Sequence, residues 1–231
     1  MESIVEDDGK TLKIVGISAK NQANWMVVDI ACILSGLTSV TLYDTLGAES
    51  TEYIINQTKL KTIFSESKQI KELAEMKKNG KIPTLENIII VDSGDIKEIK
   101  FGEEQGLHIY PISAIIQTGV KSKTLLPDPT SDSILTICYT SGTTGDPKGA
   151  MISHYGLLAE CSALKKVGID FSDNDVHLSY LPLAHIFEWC VSMNMIFVGA
   201  SVGYFAGDVF KLKDDLMTLK PTFFISVPRL Y

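Results

Sequence analysis

Short apolar runs at residues 12–17, 39–43, 61–64 and 87–91 recur about every 25 residues, and the stretches between them carry helix-like spacing. That alternation predicts βαβ units around a mostly parallel sheet flanked by helices, an α/β fold. The first helix is expected over 25–34, capped by Asn24; its nearly all-round apolarity implies burial, so Asp29 must meet a partner or the rim. From residue 93 to 133 the periodicity fades while charge, Gly and Pro increase. A long connection is expected there, with a short strand around 108–112, and any sub-boundary of the chain falls within 93–133. The pattern resumes with strands over 134–139 and 150–153 and a helix over 155–166. Leu157, Leu158, Cys161 and Leu164 form the apolar face of that helix, and Gly168 can end it. Strands over 176–181, 201–205 and 222–227 then alternate with helices over 185–197 and 209–219.

Composition narrows the class. The chain has 231 residues and 45% hydrophobic content, ample for a buried core, and a net charge of −7 without a basic stripe, which argues against nucleic acid as a partner. Cys32, Cys138, Cys161 and Cys190 lie in apolar stretches without paired spacing, the pattern of reduced thiols in a cytosol-facing protein. His108, His154, His177 and His185 share no metal-ligand spacing, so no structural metal is expected. Residues 189–207 contain no charge and approach membrane-spanning length, but Ser192, Asn194, Gly199, Ser201, Gly203 and Gly207 interrupt the run. A buried helix to Phe197, a turn at Gly199 and a buried strand fit it better, leaving peripheral membrane association at most. No basic region followed by an apolar segment marks a signal peptide at the start.

The stretch ICYTSGTTGDPKGAMISH, residues 137–154, carries the chemistry. Thr140, Ser141, Gly142, Thr143, Thr144 and Gly145 are all glycine or hydroxyl-bearing, so their backbone N–H and short O–H groups can close around an anion. The Walker pattern fails, because Pro147 precedes Lys148 and Gly149 follows it. Pro147 disfavours helix at Asp146, which puts Lys148 on a turn able to close over a ligand. A plain surface turn is the competing reading of any short Gly-rich stretch. This one resembles, over its whole length, the phosphate loop of the adenylate-forming superfamily, which includes acyl-CoA synthetases, luciferases and peptide-synthetase adenylation domains. The resemblance implies that residues 140–145 hold the β- and γ-phosphates of ATP and that Lys148 neutralises the departing pyrophosphate. It also implies Mg2+ on the same phosphates, with the Thr140 hydroxyl as one ligand.

YLPLAHIFEW, residues 180–189, leaves a strand, turns at Pro182 and enters a helix with His185 in its first turn, where an imidazole and a helix N-terminus can both meet an anion. By itself it also reads as an ordinary capped helix start. The segment resembles the acyl site of acyl-CoA synthetases, which implies that His185 lies near the carboxylate being activated. Trp189 falls one turn further on the same face; some long-chain members carry an aromatic beside the acyl tunnel there, and core packing is the alternative. TLYDTLG, residues 41–47, and the final stretch from Phe205 resemble the long-chain fatty acyl-CoA synthetases in particular. The reaction implied uses a fatty acid, ATP and coenzyme A: carboxylate plus ATP gives acyl-adenylate and pyrophosphate, and thiol then displaces AMP. The family's acidic magnesium ligand, ribose aspartate and C-terminal lysine have no counterpart here, so residues 1–231 are expected to be part of the large N-terminal domain of such an enzyme, inactive alone. Medium-chain or aryl acid:CoA ligases and a non-catalytic nucleotide-binding remnant are the alternatives. A cytoplasmic location is expected, extending to the cytosolic face of a membrane such as the endoplasmic reticulum.

Overall fold

The computed structural model describes residues 3–5, 11–43, 47–124, 126, 128–140 and 146–228. Two compact units emerge, one of residues 1–19 and 24–153, the other of residues 20–23 and 154–231. Residues 93–133 lie inside the first.

The first unit contains β1 (Ser3–Val5), β2 (Thr11–Ser18), α1 (Ala23–Leu34), β3 (Thr38–Thr41), α2 (Ala48–Gln57), β4 (Thr62–Ser65) and α3 (Ile70–Lys78). It continues with β5 (Asn87–Ile90), α4 (Ile96–Glu104), β6 (His108–Pro111), α5 (Ile112–Lys121), β7 (Ile134–Thr140) and β8 (Lys148–Ser153). The strands order as β6-β5-β4-β2-β3-β7-β8, with β1 antiparallel on β2. Every pairing from β6 through β7 is parallel, and only β8 returns antiparallel on β7. The central strands read as apolar runs because both faces are covered: Ile14, Val15 and Ile17 in β2 are all at most 2% exposed. The core continues through Val40, Ile54, Ile55, Ile63, Ile70 and Ile88.

Three expectations are corrected. Asn24 does not cap α1; the helix starts at Ala23, and the Asn24 amide donates to the Val91 carbonyl at 2.7 Å. Nor is α1 buried all round. Val27 and Leu34 are exposed, and an apolar groove of about 280 Å3 separates α1 from Ile112, Ile115 and Ile116 of α5. Asp29 does find a partner, accepting from Ser39 Oγ at 2.7 Å. Finally, residues 93–133 are not one long connection. They hold α4, β6 and α5, with α4 capped by the Asp95 carboxylate accepting from Lys97 N–H at 2.8 Å. Both helices have helical apolar spacing but bury little of it: only Gly102 of α4 is buried, and no residue of α5.

The second unit contains α6 (His154–Lys166), β9 (Val176–Ser179), α7 (Ile186–Phe197), β10 (Ser201–Tyr204) and α8 (Leu212–Leu219). β9 and β10 pair in parallel. Gly168 ends α6 at φ 86°, with Ile169 N–H returning to the Leu164 carbonyl at 3.0 Å. The strand expected over 222–227 is reduced to one parallel bridge, His177 with Phe223, since Thr222 turns its hydroxyl onto Val176 N–H at 2.9 Å and extends no ladder. Tyr180 stacks on Phe224 and Phe171 meets Phe223 edge-on, closing the small cores around β9 and α7.

Candidate functional site

The phosphate-loop stretch spans the β7–β8 hairpin. β7 is parallel to β3, and β3 to β2, so the turn opens at the carboxyl edge of the sheet, where open α/β folds receive ligands. Thr140 and Lys148 are direct partners across the hairpin, with Thr140 Oγ1 3.5 Å from the Lys148 carbonyl. Both are exposed, and among the described residues Lys148 makes no ion pair. Ser141, Gly142, Thr143, Thr144 and Gly145 lie outside the described residues. Lys148 opens a strand and is not part of a helix, in line with the proline before it.

What holds this hairpin was not legible in the sequence. Tyr139, buried and opposite Gly149, donates its hydroxyl to Gln57 Oε1 at 2.5 Å, and Gln57 Nε2 donates to the Tyr53 hydroxyl at 3.2 Å, tying the root of the loop to α2. Burial first, then the neighbouring Tyr53, pushes the Tyr139 phenol up to about 12, so it stays a donor. A Cβ on Gly149 would sit 2.7 Å from Ile137 Cγ2 and 3.1 Å from Tyr139 Cζ; the residue after Lys148 is glycine because Ile137, and behind it the Tyr139 ring, fill that space.

At the same edge, the connections from β2 and β4 depart to opposite sides of the sheet. A polar recess of about 290 Å3 opens there, lined by Ser18, Tyr43, Thr51, Lys68, Gln69 and Glu72. Gln69 braces it by donating to Ser18 Oγ at 2.8 Å and accepting from Ser65 Oγ at 2.7 Å. Hydroxyls, an amide and a lysine suit a polar or anionic ligand.

In the second unit, His185 is the N-cap of α7 and stands one residue before its first turn. Its Nδ1 accepts from Phe187 N–H at 3.2 Å, so the neutral ring carries its proton on Nε2 and can donate from there. His185 is exposed, whereas Trp189, one turn on, is fully buried and packs as core. Glu188 is also fully buried: His177 Nε2 lies 2.9 Å from Glu188 Oε1, and Ser192 Oγ donates to the same oxygen at 3.1 Å. Because His177 Nδ1 faces the Phe223 carbonyl at 3.3 Å, it must donate, leaving one proton shared between Nε2 and Oε1. Burial first, then the neighbouring Glu188 carboxylate, raises the Tyr204 phenol to about 12.

The AMP-binding enzyme model matches residues 8–231. The chain belongs to the AMP-binding enzyme family. Among curated AMP-binding enzymes it is 37% identical over 222 residues to long-chain-fatty-acid–CoA ligase 1 of Cavia porcellus, and 38% identical over 217 residues to the peroxisomal long chain acyl-CoA synthetase 7 of Arabidopsis thaliana. Each alignment covers 94% of this chain but 32% and 31% of the relative, so the chain spans about a third of their length. The fold matches the A domain of the carboxylic acid reductase from Segniliparus rugosus, solved with AMP and a co-purified carboxylic acid, with a TM-score of 0.79, 19% identity and coverage of 95% of this chain and 37% of that one. ATP-bound MatB from Rhodopseudomonas palustris matches with a TM-score of 0.69 at 21% identity, over 95% of this chain and 40% of that one. Both support the mostly parallel α/β architecture expected of an adenylate-forming domain.

Proposed function

We propose that this protein activates a long-chain fatty acid through an acyl-adenylate to acyl-CoA, and that the β7–β8 hairpin is its triphosphate site. The observation that carries the reading is the direct pairing of Thr140 with an exposed Lys148 at the carboxyl edge of a parallel sheet. Residues 140–145 would supply hydroxyl and backbone donors to the β- and γ-phosphates, and the Lys148 ammonium would offset charge on pyrophosphate as it leaves. In the first step a carboxylate oxygen bonds to the α-phosphorus as the bond to the β-phosphate oxygen breaks. In the second, the coenzyme A sulfur bonds to the acyl carbon, loses its proton, and AMP departs with the C–O electrons. His185, donating from Nε2, would orient the carboxylate; the burial of Trp189 supports a packing role beneath it.

Mg2+ fits this chain in part. The Thr140 hydroxyl is an exposed oxygen suited to one coordination position, and among the described residues no group of three or more His, Cys, Asp or Glu side chains could hold a metal alone. When bound, the ion would neutralise phosphate charge, with the phosphates themselves as its principal ligands. A fatty acid partitions into bilayers, so work at the cytosolic face of a membrane through peripheral contact belongs to the same reading.

Fatty-acid-dependent ATP–pyrophosphate exchange by the natural full-length protein is the test. Lys148→Ala should weaken exchange by an amount equivalent to about 1.5 to 3 kcal/mol, the usual contribution of a hydrogen bond to a charged group. His185→Ala should raise the acid concentration needed and leave the ATP requirement in place. Wild-type exchange in the Lys148 variant at limiting and saturating ATP removes that lysine from the site. A panel of long-chain, medium-chain and aryl acids separates the substrate classes.

A further inference from the structure

We propose that Asn21, far from His185 in sequence, is a positioning residue for it; this rests on the reading of His185 as the group that meets the acid. Asn21 belongs to the short segment 20–23 that clusters with residues 154–231. Its Nδ2 donates to Ser179 Oγ at 2.9 Å and to the Leu181 carbonyl at 2.6 Å, and its Oδ1 accepts from Leu183 N–H at 2.9 Å. Both amide protons and the amide oxygen are therefore engaged, and the orientation is unambiguous. Turning the amide over would set oxygen against the Leu181 carbonyl and NH2 against the Leu183 N–H.

The need for such a residue follows from the backbone. β9 ends at Ser179, and α7 begins at Ile186. Between them Pro182 has no N–H to offer a neighbour, so the groups flanking it, the Leu181 carbonyl and the Leu183 N–H, have no ladder to join. The Asn21 carboxamide meets both, much as a neighbouring strand's peptide group would. The turn then closes with His185 N–H on the Pro182 carbonyl at 2.8 Å, and Leu183 and Ala184 drop into the core at 1% and 4% exposure. His185 follows directly and caps α7. Where its imidazole stands is thus set by a carboxamide more than 150 positions earlier, whose fully buried neighbour Ser179 accepts from it at the hydroxyl oxygen.

Asn21→Asp is the informative variant, since it keeps shape and the acceptor for Leu183 but puts a carboxylate oxygen against the Leu181 carbonyl; Asn21→Ala removes all three bonds. In the natural full-length protein, amide exchange over residues 181–187 should quicken in both variants while that of β10 is unchanged. The kcat/KM for the fatty acid should fall about tenfold to a hundredfold with the KM for ATP unmoved, the effect of misplacing one group by roughly an ångström. Three results overturn the proposal: wild-type exchange over 181–187, acid kinetics unchanged in both variants, or acid and ATP parameters falling together with Tm, which would make Asn21 a support of the fold alone. His185→Ala measured alongside separates the two levels. If it impairs acid use and Asn21→Asp does not, the positioning role is wrong; if it leaves acid use intact, the reading of His185 itself falls and the proposal with it.

Discussion

Gly149 shows how one residue type is dictated by its neighbours at the site. With Ile137 and the Tyr139 ring already within contact range of a single added carbon, Gly149→Ala must displace the Ile137 side chain, the ring or the start of β8, which carries Lys148. Overpacking of this kind typically destabilises by about 1 to 3 kcal/mol, so a lowered Tm together with a raised KM for ATP is expected, and thermal denaturation beside pyrophosphate exchange measures both. The thiols offer a second check. Burial, aided by the Asp29 charge, pushes the Cys32 thiol up to about 12, and burial also raises Cys138 despite hydrogen bonds from Thr41 and Thr136. Both should therefore resist iodoacetamide at mildly alkaline pH in the folded protein, while the less buried Cys161 and Cys190 react first; peptide mass spectrometry reads the order.

Two elements carry expectations of their own. The uncharged run 189–207 divides at Gly199, φ 79°, into α7 and β10 as expected, but the expected burial is incomplete: Phe197 and Ser201 are exposed and Val202, Gly203 and Tyr204 are half-buried. No helix among the described residues is long and apolar enough to cross a membrane. Alkaline carbonate extraction of the 231-residue chain should leave it in the supernatant, and retention in the pellet as an integral protein would contradict this division. The link from β9 to residues 222–223 depends on Asp175. Its carboxylate accepts from the Thr222 hydroxyl at 2.7 Å and from Ser172 N–H at 2.8 Å, and these bonds, Thr222 first, hold it below the usual aspartate range. A depressed folded pKa stabilises the fold above the unfolded value and loses that contribution as pH falls through the folded one. Amide exchange at Val176 and Phe223 should accordingly rise on acidification below the ordinary aspartate range, and Asp175→Asn should remove that pH dependence.

At the scale of the whole chain, charge sets one boundary on function. A net charge of −7 without a basic stripe leaves no favourable counterion-release term for a polyanion, so gel-shift assays with single- and double-stranded oligonucleotides should show no complex even at low salt. Under the proposed reading, the triphosphate would then be met by local donors, the small hydroxyl residues of 140–145 and Lys148. The chain spans about a third of its curated relatives, and the stretch proposed to hold the triphosphate falls in one compact unit while the segment proposed to meet the acid falls in the other.

Much of this was legible in the sequence because it rests on local physics. The period of the apolar runs determined the α/β class and placed β2, β4, β5 and β7 within a residue or two, since a strand buried on both faces must be apolar throughout. Proline before and glycine after Lys148 determined that no helix starts there. The apolar positions of α4 and α5 lie among charged, Gly and Pro residues and bury almost nothing, so their assignment depended on caps and contacts with the rest of the first unit. What only the tertiary structure decided are bonds that no sequence pattern announces: Tyr139 to Gln57 and Asn21 to the turn before His185, remote in the chain, and His177 to Glu188 between β9 and α7. Polar side chains carry no periodicity and find partners wherever the fold leaves a backbone or buried group unsatisfied. Their roles therefore exist only once the chain has closed around them.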